Sequence, residues 1–99
     1  MKEGKYIMVV VYKKHEFKVY AFKKSYIIHN TKKDFEIGHT HINNYNTAKY
    51  IVNLAVHKSI PNRKKEYFYE SLIRISNDHI YIEKLRNEME QFSKYKRKG

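Results

Sequence analysis

Cysteine is absent from this chain. That excludes a disulfide scaffold, a thiolate zinc site and a cysteine nucleophile. Proline occurs once and glycine three times, too few for collagen-like or elastic repeats or for a glycine-rich loop that cradles a nucleotide phosphate. No stretch approaches 18 consecutive apolar residues, so no membrane-spanning helix is expected. The opening Met1-Lys2-Glu3-Gly4-Lys5 is charged. The apolar run behind it is short and lacks a small-residue cleavage site, which does not read as a signal peptide. Acidic residues are scarce: 10 Asp+Glu stand against 21 Lys+Arg, a formal charge of +11 on 99 residues.

What remains is rich in apolar and aromatic side chains: 41 % of residues are apolar, with ten Tyr and five Phe. A disordered basic arm lacks that content. The expectation is one small, soluble, cytoplasmic α+β domain over residues 1–93, followed by a basic, frayed tail over 94–99. Residues 1–50 carry ten Lys and four acids, and residues 51–99 carry eleven basic residues and six acids. The excess is therefore spread along the chain rather than appended to it. Such an excess repels itself in the compact state and exceeds what solubility needs, so a polyanionic partner is expected, nucleic acid first. The Lys/Ile/Asn/Tyr-rich composition is in the style of small proteins of phages and plasmids from AT-rich bacteria. A biased codon supply explains lysine in place of arginine; it does not explain the missing acids.

The first half reads as strands. Residues 6–12 form a β-branched and aromatic run, expected as a strand that is central or covered on both faces. Phe17, Val19 and Ala21 alternate with Lys18, Tyr20 and Phe22. Residues 26–29 make a third strand, and residues 35–42 a fourth strand or an extended loop. Polar breaks at 13–16, 23–24 and 30–34 are short, which implies an antiparallel meander. The second half reads as three helices. Ala48, Ile51, Val52 and Ala55 share a face of the first, with Asn46 or Thr47 as its cap. Pro61 ends that helix, since the residue before proline avoids helical angles, and Asn62 caps the second, with Phe68, Leu72 and Ile75 inward. Ser76-Asn77-Asp78 breaks and recaps the chain before a third helix striped by Ile82, Leu85, Met89 and Phe92. The fold class expected is a three- to four-stranded meander packed as a two-layer structure against three helices. A core this small is marginal, so a homodimer using the apolar first strand is also expected.

Three clusters carry candidate chemistry. Lysine doublets fall at turns, and in a meander Lys13, Lys14, Lys32 and Lys33 share one end of the sheet, where they would clamp phosphate. Arg63-Lys64-Lys65 opens the second helix, where cations oppose the macrodipole. Helix, short turn, helix resembles the spacing of a helix-turn-helix, so this cluster is expected to meet duplex DNA, with DNA favoured over RNA. The tail residues Lys94, Lys96, Arg97 and Lys98 would assist. Tyr20, Phe22 and Lys18 share a strand face, a pattern by which sheets stack single-stranded bases. The glycine–aromatic motif of the RNA-binding sheet is missing, and the rings are expected to pack under the helices instead.

His39-Thr40-His41 is the best metal candidate, with His29, His57, Asp34 or Glu36 as a third ligand. His41, Asn53 and His57 do not have the spacing of a His-Asn-His nuclease. No serine sits in a nucleophile motif, and Glu66 and Glu70 read as helix-surface pairing partners. No cofactor is expected. The leading expectation is a non-enzymatic nucleic-acid-binding protein. Two others stand beside it: an inhibitor or adaptor docking on a defence or nucleic-acid-processing protein, and a metal-dependent nuclease built on His39 and His41.

Overall fold

A computed structural model describes residues 8–63 and 65–98, with only the helical backbone described over 93–98. Four strands precede three helices: β1 (Val9–Lys14), β2 (Phe17–Phe22), β3 (Ser25–Asn30), β4 (His39–Ile42), α1 (Tyr45–His57), α2 (Glu66–Ile75) and α3 (His79–Lys98). The strands form one sheet in the order β1-β2-β3-β4, antiparallel throughout. The expected α+β meander is therefore present. No helix among the described residues is long and apolar enough to cross a membrane.

The meander follows from the turns. Lys14 pairs with Phe17 and Phe22 with Ser25, leaving two residues to close each of the first two hairpins. Their first positions, His15 and Lys23, take φ of 56° and 58°, a region that costs a residue with a Cβ about 1–2 kcal/mol. The 31–38 connection is longer. Its buried Gly38 has no room for a side chain, because a Cβ there would lie 2.5 Å from that of Lys33.

β1 differs from expectation. Its apolar run suggested a central or doubly covered strand, yet it pairs only with β2. Val9, Val10 and Val11 are 55, 45 and 39 % exposed. Sequential short turns place the first strand of a meander at the edge whatever its composition. The register slips at Val11, between the pairs Val10↔Tyr20 and Tyr12↔Val19, a bulge of the kind that blunts edges.

The core lies between the sheet and α1 and α2, and is completed by α3. It contains Phe17, Val19, Ile28 and Ile42 from the strands, with Ala48, Ile51, Val52 and Ala55 from α1. Phe68, Leu72 and Ile75 of α2 are buried as expected, joined by Tyr69. On α3 the buried pair is Tyr81 and Leu85, while Met89 and Phe92 are half-buried against the core. Tyr81, missed by the stripe that began at Ile82, donates its hydroxyl to the carbonyls of Ser59 (2.7 Å) and Leu54 (3.3 Å), so it locks α3 onto the end of α1. Burial holds its phenol well above the ordinary tyrosine range.

The helix ends shift in an informative way. Asn44, two or three residues ahead of the expected cap at Asn46 or Thr47, accepts from the Thr47 amide (3.0 Å). α1 stops at a left-handed Lys58, before Pro61 can act. Asp78 caps α3 as expected, accepting from the amides of Ile80 and Tyr81, and pairs with Lys58 at 2.9 Å. α2 begins only at Glu66. Its C-terminal end is capped by distant side chains. Lys33 Nζ donates to the carbonyls of Arg74 (3.0 Å) and Ser76 (2.9 Å). The buried Asn30 donates to the carbonyl of Ile75 between them (2.8 Å) and accepts from the Lys32 amide (2.9 Å).

Two stability changes follow. His15→Gly removes the left-handed penalty and raises unfolding free energy in urea by about 0.5–1 kcal/mol. Asn30→Leu strands a helix-end carbonyl and a turn amide, and lowers it by about 1–3 kcal/mol.

Candidate nucleic-acid interface

Side chains alternate across a strand, and here the two sheet faces have different fates. Tyr12, Lys14, Phe17, Val19, Tyr26, Ile28, Asn30, Thr40 and Ile42 face the helices. Thr40 bonds Ser71 (2.9 Å), and Lys14 bonds Asn53 Oδ1 (2.5 Å). Among the described residues the opposite face carries no helix. Tyr20 and Phe22 stand on it, so the expectation that they pack under the helices is wrong. Burial of Phe17 and Val19 fixes the parity of β2 and turns Lys18, Tyr20 and Phe22 outward.

Strand pairing sorts this open face into two rows. One runs Val10, Tyr20, Ile27, His41, each directly opposite the next; the neighbouring row runs Lys13, Lys18, His29, His39. With strands about 4.8 Å apart, each row spans roughly 14 Å. The first row is apolar and aromatic, and Ile27 is buried within it at 3 % exposure. The second is all basic or titratable. Like charges directly opposite one another destabilise a sheet, so fold stability does not favour Lys13 opposite Lys18. The 31–38 connection reaches this face through Phe35. Its ring stacks on His39 (4.4 Å between centroids, 4° between planes) and meets His29 edge-on at 5.1 Å.

The histidines are tied into this surface. His39 Nδ1 lies 2.5 Å from the Phe35 carbonyl, which can only accept, so the ring carries its proton there. Its Nε2 lies 3.2 Å from His41 Nε2, so one ring donates to the other. Burial first, then His39 and Arg74, hold the His41 pKa below its ordinary value. Arg74 also donates Nε to the His39 carbonyl (2.9 Å), pinning α2 to β4. A metal site needs more than this pair. His29 Nε2 bonds the Lys33 carbonyl and His57 Nδ1 the Asn53 carbonyl on α1. Among the described residues no three His, Cys, Asp or Glu side chains gather to hold an ion.

The lysine clamp divides. Lys13 and Lys32 are exposed. Lys14 is committed to Asn53, and Lys33 to the end of α2, where burial and then Arg74 lower its pKa. One member of each doublet is thus structural. Lys65 is exposed at the N-cap of α2 and makes no side-chain cap. Arg63 is exposed with its guanidinium 5.9 Å from the centre of the Tyr50 ring. Lys64 lies outside the described residues, as do the side chains of Lys94, Lys96, Arg97 and Lys98. The connector from α1 to α2 covers residues 58–65, about twice a helix-turn-helix turn. The cluster therefore precedes the helix instead of opening it, and Glu66 occupies the first turn. Lys65 still faces the positive end of the helix, and Glu66 beside it supplies the favourable charge.

The signal for the open face was present in Lys18-Tyr20-Phe22 and His39-Thr40-His41. What sequence reasoning missed was their lateral alignment with Lys13 and His29. Comparison with family models, curated proteins and solved structures returns no match, and the reading rests on this chain's own residues.

Two outcomes are expected. Because the folded-state His41 pKa lies below its unfolded value near 6.5, the unfolded chain binds the proton first. Stability is full above about pH 6.5 and declines as pH falls below it; His41→Gln flattens that part of a urea-midpoint-versus-pH curve. Lys33→Ala lowers the melting temperature while Lys32→Ala leaves it unchanged, which thermal denaturation followed by circular dichroism separates.

Proposed function

We propose that this protein binds nucleic acid, and that it takes a single strand across the open face of its sheet. The observation that carries the reading is the pair of adjacent rows, one of rings and one of cations. A single strand has the same two-sided character. Its bases stack on aromatic side chains and its phosphates lie beside lysines. Tyr20 and His41 supply stacking surface on either side of Ile27, with Phe22 beyond the row. Lys13 and Lys18 supply charge beside His29 and His39. Neither lysine has a carboxylate partner among the described residues. The proposed activity is binding and requires no cofactor.

Duplex DNA is the second reading. Exposed Arg63 and Lys65 support it, and Lys64 and the tail lysines would extend the contact to phosphate. The long connector removes the groove-reading geometry, so this contact would be independent of base sequence.

Fluorescence anisotropy with labelled single-stranded DNA, single-stranded RNA and duplex at near-physiological salt distinguishes the readings. Lys13→Ala with Lys18→Ala should flatten the single-strand log K against log salt slope by about 1.4, or ~0.7 per lost phosphate contact. Tyr20→Ala should cost about 1–3 kcal/mol of affinity. An unchanged slope in the double variant overturns the placement. If the Arg63/Lys64/Lys65 triple alanine variant alone weakens binding, and only to duplex, the second reading holds. No binding to any of the three assigns the face to a protein partner, as an inhibitor or adaptor would use it.

A further inference from the structure

At the corner of the sheet where β3 begins and β4 ends lies a cleft of roughly 360 Å³, lined by Ser25, His41, Ile42, Asn43 and Tyr67. His41 and Ser25 belong to the open face, and Tyr67 comes from the first turn of α2, so the cleft continues the aromatic row around the β4 edge. Its size is at the low end of small-molecule pockets, about 300–1,000 Å³, suited to one planar ring system and not to a folded oligonucleotide. The wall is rigid. Tyr67 is 42 % exposed, and its ring packs on the buried Phe68 at 4.6 Å and 31°. An exposed ring held from behind is a stacking platform. Asn43 is exposed, and its carboxamide makes no hydrogen bond to the described residues. The Ser25 hydroxyl donates to the Phe22 carbonyl (3.3 Å) and keeps its lone pairs for an incoming donor.

We infer that this cleft is a base-specific subsite that receives one unstacked nucleobase, adenine in preference to the others, from the strand lying on the open face. The inference rests on the single-strand reading above. Tyr67 stacks on the base, and Ile42 closes the floor. The Asn43 carboxamide presents an adjacent acceptor and donor, and among the Hoogsteen edges of the bases only that of adenine, with its N6 amino group beside N7, matches both. Ser25 accepts a further N–H. The sheet rows hold any strand through rings and phosphates; the cleft is where base identity enters.

The test uses the full chain and equal-length labelled oligomers of dA, dC and dT, together with an abasic oligomer. Wild type should bind oligo(dA) most tightly. Tyr67→Ala should weaken oligo(dA) by about tenfold or more, while Tyr67→Phe retains its affinity, because the ring and not the hydroxyl does the stacking. Asn43→Ala should bring oligo(dA) to the level of oligo(dT) and leave the abasic oligomer unchanged. Tyr20→Ala, on the sheet row, should weaken all three base-bearing oligomers alike. Equal binding of dA, dC and dT by wild type overturns the subsite and leaves the sheet-face reading standing. So does a uniform loss across all oligomers in the Asn43 or Tyr67 variants. Failure of every oligomer to bind overturns both.

Discussion

A strand sends successive side chains to opposite faces, and the helices among the described residues cover only one of them. Most of what distinguishes the molecule descends from that constraint. Four strands in meander order place Phe17, Val19, Ile28 and Ile42 on one face, and α1 and α2 bury it. The other face must make its own surface. It is not wholly polar: the central Ile27 is buried there, with Tyr20 and His41 opposite it on the flanking strands. The result is a flat, ringed and basic platform with the helices behind it.

The platform is held from behind by polar contacts at the end of α2. Lys33 and Asn30 satisfy three successive carbonyls there, and Arg74 fastens the same turn to the β4 backbone. A helix end left without partners is costly. Here the partners come from β3 and its following connection, so capping and sheet–helix registration are one interaction. This arrangement also fixes Phe35 over His39 and His29, because the connection that carries Phe35 begins at Asn30 and is drawn in by Lys33. The open face and the helix cap are opposite sides of a single device.

Much of the architecture was legible from local pattern. The helix faces of Ala48, Ile51, Val52 and Ala55, and of Phe68, Leu72 and Ile75, follow from a period of 3.6, and the Asp78 cap from residue chemistry. The meander follows from short polar breaks. Less was legible where the outcome depends on pairing. Apolar content in β1 could not say that it lies at an edge. The lysine doublets looked equivalent, and adjacency in sequence concealed that Lys14 and Lys33 turn to the helices while Lys13 and Lys32 turn to solvent. The pattern starts α2 about one turn too early, at Arg63, because Asn62 looks like a cap, whereas the helix waits for Glu66.

The sequence by itself determined the charge, the order of the elements and which side of each helix is apolar, since these are properties of residues close together along the chain. Tertiary structure alone decided which face of the sheet stays bare, and which cations line up across it. Lys13, Lys18, His29 and His39 come from four strands and become a row only through register. Tyr67 joins Ser25 and Asn43 around one cleft only through the packing of α2 against β3 and β4. Period and composition act locally; alignment across strands needs hydrogen bonds between residues far apart in the chain, and those form only when the whole sheet does.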